Sequence, residues 1–203
     1  MSYLLRVQLP DVPGSLGRLA TAIGAAGGNI DAIEIVSRGA GFAVDDVFLA
    51  AENSVMPDSI VSACQQLEGV EVLWISRYAA GTNLFLDLEA VEAMTQSPHQ
   101  AADTLVDLVP QVFRADWGLR ARRNGTAMEV LHRTSAAPKE VPEGTPWPAE
   151  SVADTAIDEL LVLAAPLGSD EAVVIARRGG PEFIDSELAR LRHLVQLAGS
   201  IAR

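Results

Sequence analysis

The sequence predicts an α+β protein of two domains, and three observations carry that prediction. Residues 1–78 alternate strand and helix patterns in the order β-α-β-β-α-β. From Leu84 the pattern changes to helices, two hairpins and a closing helix. A chain of 203 residues is long for one domain and comfortable for two of about 75–130 residues each. The expected division is 1–78, a linker at 79–83 (AAGTN) and 84–203.

Composition narrows the function classes. At 49% hydrophobic residues the chain can build real cores. No apolar run approaches the roughly 20 residues of a membrane helix, and no basic-then-apolar signal opens the sequence. Cys64 is the single cysteine, so no internal disulfide or cysteine metal cluster is expected, and a cytoplasmic location fits. The net charge of −12 disfavours nucleic acid and anionic membranes as partners.

Tyr3 to Leu9 alternates as a strand and runs into the loop Pro10-Asp11-Val12-Pro13-Gly14. A helix follows, with Leu16, Leu19, Ala20 and Ile23 on one face and Gly27-Gly28 at its end. Asn29 opens a second strand, NIDAIEIVSR, and Arg38 to Gly41 is a hairpin turn. The third strand is FAVDDVFLAA. Met56 to Leu67 reads as a helix with Ile60, Cys64 and Leu67 on one stripe, stopped by Gly69, and Val70 to Tyr78 is the fourth strand. This order is the ferredoxin-like motif, and right-handed crossovers place the first and third strands centrally with both helices on one face. Leu5 and Val7 on one face and Leu4 on the other, with Phe42, Phe48 and Trp74, leave apolar groups on both sheet faces. Something must cover the second face, either another copy or the C-terminal half, and a homodimer is the expectation.

Four stretches, Asp-Val-Pro-Gly-Ser-Leu, Gly-Gly-Asn-Ile, Asp-Asp-Val-Phe-Leu and Leu-Glu-Gly-Val-Glu-Val-Leu, occur in the right order on the right elements. Together they resemble an ACT domain over residues 3–78. The resemblance implies a regulatory module that usually binds amino acids, two sheets paired side by side through their second strands, and effector bound at the seam. The implied ligand-binding residues are Asp11, Val12, Pro13, Gly14, Ser15 and Leu16 of the loop and helix start, with Asn29 and Ile30 of the second strand. Asp11 falls where some members carry a ligand-touching Asn, Asn29 matches their second Asn, and Leu9 departs from the His that some have. The chemistry fits independently: helix-start amides around Gly14 to Gly17 are donors at the positive end of a dipole, suited to a carboxylate. Asp11 is able to accept from an ammonium. The plainer readings are that Asp11 caps or turns, Gly14 is only a turn residue, and Asn29 only tolerates an unusual backbone angle.

Leu84 to Met94 is helix-like, and Ser97-Pro98 starts a second helix with Ala101, Leu105, Leu108, Val109 and Val112 inward and Pro110 near its end. Ala115 to Arg122 and Met128 to Arg133 form a hairpin about Arg123-Asn124-Gly125; Ala136 to Glu150 is a proline-rich loop. Leu160 to Leu167 and Ala172 to Arg177 form a second hairpin. A last helix, capped by Asp185, turns Leu188, Leu191, Leu194, Val195, Ala198 and Ile201 inward. This half resembles a GAF domain, a sensory fold with a central antiparallel sheet, chiefly in Arg-Arg-Gly-Gly-Pro-Glu-Phe-Ile-Asp-Ser-Glu-Leu before its final helix. The proline-rich loop stands where that family builds a pocket lid, and no cysteine is present there for a bilin.

Catalytic motifs are missing: no G-x-G-x-x-G, Walker A, H-E-x-x-H or G-x-S-x-G occurs. His99, His132 and His193 are far apart, Asp45 and Asp46 point to opposite faces of a strand, and Arg122-Arg123 and Arg177-Arg178 read as solvated turn residues. No catalytic residue, metal ligand or cofactor is assigned. The expected function is a non-catalytic regulatory protein with a small-molecule effector, an amino acid by the resemblance. The alternative is a ligand-free dimerisation module that recruits a partner enzyme or regulator.

Overall fold

The structure is a computed structural model that describes residues 1–77, 82–125, 127–148, 152–180 and 182–203. Two compact units divide it, Met1–Gly81 and Thr82–Arg203.

In the first unit β1 (Ser2–Pro10), α1 (Ser15–Ala25), β2 (Gly28–Gly39), β3 (Phe42–Ala51), α2 (Pro57–Gln65) and β4 (Glu71–Arg77) follow in the expected order. The sheet order is β2-β3-β1-β4, antiparallel throughout, so β3 and β1 are central as right-handed crossovers require. Leu5, Val7 and Leu9 of β1 and Val47 and Leu49 of β3 pack with Leu19 and Ile23 of α1 and Ile60 and Cys64 of α2 in one core. Each such fully buried aliphatic side chain contributes about 1.5–3 kcal/mol. Apolar groups stand on the other face too: Leu4 and Phe48 are buried there, beside an ion pair in which Arg6 Nε donates to Asp46 Oδ1 at 2.7 Å. The hairpin turn is tighter than the four residues expected. Gly39 pairs with Phe42, and Ala40 and Gly41 at φ 52° and 84° form a two-residue loop of the type I′ kind. Leu16 departs from the expected core stripe and is exposed; the buried residues of α1 are Ser15, Leu19 and Ile23. Tyr78, the expected end of the fourth strand, lies outside the described residues, as does the linker through residue 81.

In the second unit α3 (Thr82–Gln96) starts two residues before the expected Leu84, so Thr82 and Asn83 of the expected linker are helical. A 3-10 turn (Pro98–Gln100) leads into α4 (Ala101–Val112), which accommodates Pro110 in its last turn. Then come β5 (Trp117–Asn124), β6 (Ala127–Arg133), β7 (Ala153–Ile157), β8 (Leu160–Leu167), β9 (Glu171–Arg178) and α5 (Asp185–Ile201). The sheet is antiparallel in the order β6-β5-β9-β8-β7. One face packs on Leu105, Val109, Leu191 and Val195 of the helices. The other carries Trp117, Leu119, Val162 and Val174, on which Ala137, Val141 and Trp147 of the proline-rich loop pack. The strand β7 was not expected from the sequence. Asp185 is not the cap of α5: the cap position is Ile184, whose N–H donates to Glu187 Oε2 at 3.1 Å. Pro181 and residues 149–150, parts of expected loops, lie outside the described residues.

Candidate ligand site at the start of the first helix

The loop between β1 and α1 is fixed from two sides. The Asp11 N–H donates to the Gly41 carbonyl at 2.9 Å, tying the loop to the β2–β3 turn, and the Ser15 N–H donates to Val12 at 3.2 Å. Gly14 is the N-cap of α1, in the left-handed region at φ 91°, and it provides no side-chain cap. Asp11 therefore does not cap this helix. The first N–H to bond back along the helix is that of Arg18, to Gly14 at 3.1 Å. The Leu16 and Gly17 amides precede that bond and have no acceptor inside the helix. They stand at the positive end of its dipole, and no acidic residue occupies the first turn.

An open cavity of about 300 Å³ lies against this helix start. It is lined by Asp11, Val12, Pro13, Gly14, Ser15 and Leu16, six of the eight residues expected from the sequence, together with Leu9 and Pro10. The remaining wall comes from β2 and β3: Ile35, Arg38, Ala43 and Asp45. A Cβ added to Gly14 would meet nothing within 4 Å, so the backbone there is approachable from the cavity.

Asn29 and Ile30 are elsewhere. Asn29 pairs with Ala50 whereas Pro10, next to Asp11, pairs with Phe42. Those two β3 residues are eight steps apart, roughly 26 Å of strand. Within one chain the two groups of expected site residues are at opposite ends of the sheet. Asn29 is exposed, and among the described residues the non-glycine positions with positive φ are Ala40, Arg114 and Asp158, not Asn29.

Sequence reasoning read Arg38 as a turn residue and Asp45 as half of a pair split between two strand faces, and placed neither in the site. Asp45 pairs with Val7 and Ile35 and is 1% exposed, on the same face as the core, while Asp46 pairs with Arg6 on the other. Among the described residues the buried Asp45 Oδ1 has no hydrogen-bond partner. Burial pushes its carboxyl above the ordinary value; Arg38 opposes this and Asp11 and Asp46 add to it. The legible signal was its alternation with Ala43, Val47 and Leu49, which put a carboxylate on the inward face.

Other candidates have structural explanations. Cys64 is buried, and its thiol is pushed up to about 11, far from a reactive thiolate. His132 Nε2 lies 2.8 Å from Asp107 Oδ1 on the surface, and no metal-binding cluster occurs among the described residues. Arg177 departs from the solvated reading: it is buried, donates to Glu187, and lies 3.8 Å from the Phe183 ring centre. A second open cavity of about 240 Å³ borders α4, but Arg120 in its wall is already held by Asp103 and Glu171.

Residues 3–69 match the family model of the ACT domain. A stretch of 77 residues is 37% identical to NAD-dependent malic enzyme 1 of Bacillus subtilis, covering 37% of this chain and 18% of that enzyme. The chain thus spans less than a fifth of the curated relative it matches. Among solved structures, the GAF domain of Acinetobacter phosphoenolpyruvate-protein phosphotransferase is 11% identical, with a TM-score of 0.46, over 61% of this chain and 94% of that one. The A. aeolicus nlh2 GAF domain in an inactive state is 10% identical, with a TM-score of 0.41, over 58% and 93%. ACT domains are small-molecule-binding regulatory domains, and the segment 3–69 of this chain, with its β-α-β-β-α-β order and β2-β3-β1-β4 sheet, is one of that family.

Proposed function

We propose that this protein is a non-catalytic regulator that binds an amino acid or related small molecule at an interface between two ACT units. The observation that carries the reading is the cavity at the uncapped start of α1, beside the outer strand β2. Among the described residues β2 pairs only with β3, and its Ile33 and Ile35 are exposed. Antiparallel pairing of two copies along β2, centred near Ile33 and Glu34, sets Asn29 of the partner subunit beside Arg38. That pairing unites the two groups of site residues which one chain holds apart. Residues 84–203 are assigned in the same proposal to a GAF-like sensory domain, a reading supported by its antiparallel sheet with helices on one face. A partner enzyme or regulator would then receive the signal.

The test is a thermal-shift screen of the full chain against the twenty amino acids, with wild type and Asn29→Ala in parallel. A ligand that binds only the folded state raises the melting point by mass action. The expected result is a shift for one or a few amino acids, weakened about tenfold or more in affinity by Asn29→Ala. A flat screen to millimolar concentration overturns the ligand reading in favour of a ligand-free dimer module.

A further inference from the structure

We infer that Asp45 is the specificity-determining residue of the cavity at the start of α1, accepting the ammonium group of a zwitterionic ligand whose carboxylate lies on the helix-start amides. The inference rests on the reading of this cavity as a ligand site and goes beyond it in naming the group that selects the ligand.

The cavity wall is electrically two-sided. The Leu16 amide, at the positive end of the α1 dipole, and the Arg38 guanidinium supply donors and positive charge. Asp45 and Asp11 supply the opposite. A simple carboxylate or phosphate would satisfy the first group while standing against two carboxylates. A plain amine would satisfy the second while standing against the helix dipole and Arg38. A small molecule carrying both charges satisfies both, and a cavity of about 300 Å³ is at the small end of ligand sites.

Asp45 differs from Asp11 in a way that assigns it the selecting role. Asp11 is exposed, so water already satisfies its carboxylate in the free protein. Asp45 is 1% exposed and, among the described residues, its Oδ1 lacks any donor. A buried oxygen left unpaired carries its full desolvation cost, so a ligand that brings a donor recovers more there than at an exposed carboxylate. A ligand without one leaves that cost in place, the circumstance in which discrimination is strongest. The Asp45–Asp46 pair serves two separate ends: Asp46 is consumed by Arg6, and Asp45 is left for the cavity.

The experiment measures binding to the full chain by calorimetry, with amide NMR shifts to locate it. Probes are amino acids and their deaminated counterparts: L-alanine with propionate, L-serine with 3-hydroxypropionate, L-valine with 3-methylbutanoate and L-phenylalanine with 3-phenylpropionate. The expected result is that one or more amino acids shift the amides of Asp11 to Gly17 and that the matched acid binds about ten- to a hundredfold more weakly. Asp45→Asn, with its melting point measured in parallel to establish folding, is expected to remove most of that difference while acid binding stays within about threefold. Equal binding of amino acid and deaminated acid at these amides overturns the inference and leaves the ligand site standing. So does an Asp45→Asn protein that is folded and still discriminates. No shift at these amides with any probe overturns both.

Discussion

A carboxylate on the core face of a strand is costly, and Asp45 carries that cost visibly: it is 1% exposed and its Oδ1 has no partner among the described residues. Its carboxyl is pushed up by burial, against the pull of Arg38. The consequence for stability follows from linkage. A folded-state pKa above the unfolded one means that the native protein binds the proton more tightly. The contribution is therefore full below the unfolded pKa, near 3.9, and is lost as pH rises through the higher folded value. Asp45→Asn removes the ionisation while keeping the shape. We predict that it raises unfolding stability by about 1 kcal/mol at pH 7. Denaturant midpoints should show the gain shrinking toward pH 4. A variant less stable than wild type at pH 7 would show that the carboxylate is satisfied in solution. A stability gain together with lost discrimination is the trade expected of a binding residue. Gly14 shows a second constraint at this scale. Its φ of 91° is expensive for any side chain, although the space beyond it is open. Gly14→Ala is therefore expected to cost about 1–2 kcal/mol through the backbone alone, read as a lower midpoint without ligand.

Among the elements, those with strong periodicity were legible: Phe42–Ala51 and Leu160–Leu167 stand where the alternation and turn residues put them. What escaped was β7, because Ala-Asp-Thr-Ala-Ile has little apolar bulk and, at the edge of the sheet, half its side chains face water. The cap of α5 escaped for a different reason. Asp185 has the residue type of a cap, but the bond is made by Glu187 reaching back to the Ile184 amide, a choice that depends on where the chain enters the helix. Glu187 also receives the buried Arg177 guanidinium, so it joins α5 to β9. Adjacent Arg177 and Arg178 are indistinguishable in composition. Strand alternation sends only Arg177 inward, where Phe183 gives it a ring to lie on. In the candidate site the loop was legible because Pro and Gly punctuate it, whereas Arg38 and Asp45 needed the sheet register. Glu187→Ala removes one acceptor of the guanidinium and the α5 cap together. It is predicted to lower stability by about 3 kcal/mol, with Glu187→Gln recovering part of the loss. A change below 1 kcal/mol in urea unfolding would mean that the pair contributes packing and little else.

At the level of the assembled protein, the division of the expected site between the two ends of the first sheet is itself an argument for a second copy. Asp11 and Asn29 are separated by roughly 26 Å of strand in one chain, too far for one small molecule to touch both. Two-fold pairing along β2, as proposed above, would bring the two groups together across the seam. The strand has the marks of an edge left for pairing: it is twelve residues long, and it exposes Ile33 and Ile35. Its two register shifts, at Ile30/Ala32 and Ile35/Ser37, flank a central stretch of regular strand. Proteins that keep edge strands solitary usually blunt them with lysine, proline or short length, and β2 has none of these in its central stretch. Ile33→Lys supplies such a charge at the centre of the proposed seam, on a side chain already exposed, so the fold should tolerate it within about 0.5 kcal/mol. Light scattering across dilution is expected to give twice the 21.5 kDa chain mass for wild type and the single chain mass for Ile33→Lys at micromolar concentration. The same substitution should weaken any amino-acid response even though Ile33 is not part of the cavity wall, because it removes the Asn29 supplied by the partner subunit. A wild-type protein that stays monomeric throughout, or an Ile33→Lys monomer that binds its amino acid as tightly as wild type, would show that each chain's cavity works alone and that Asn29 has no part in it.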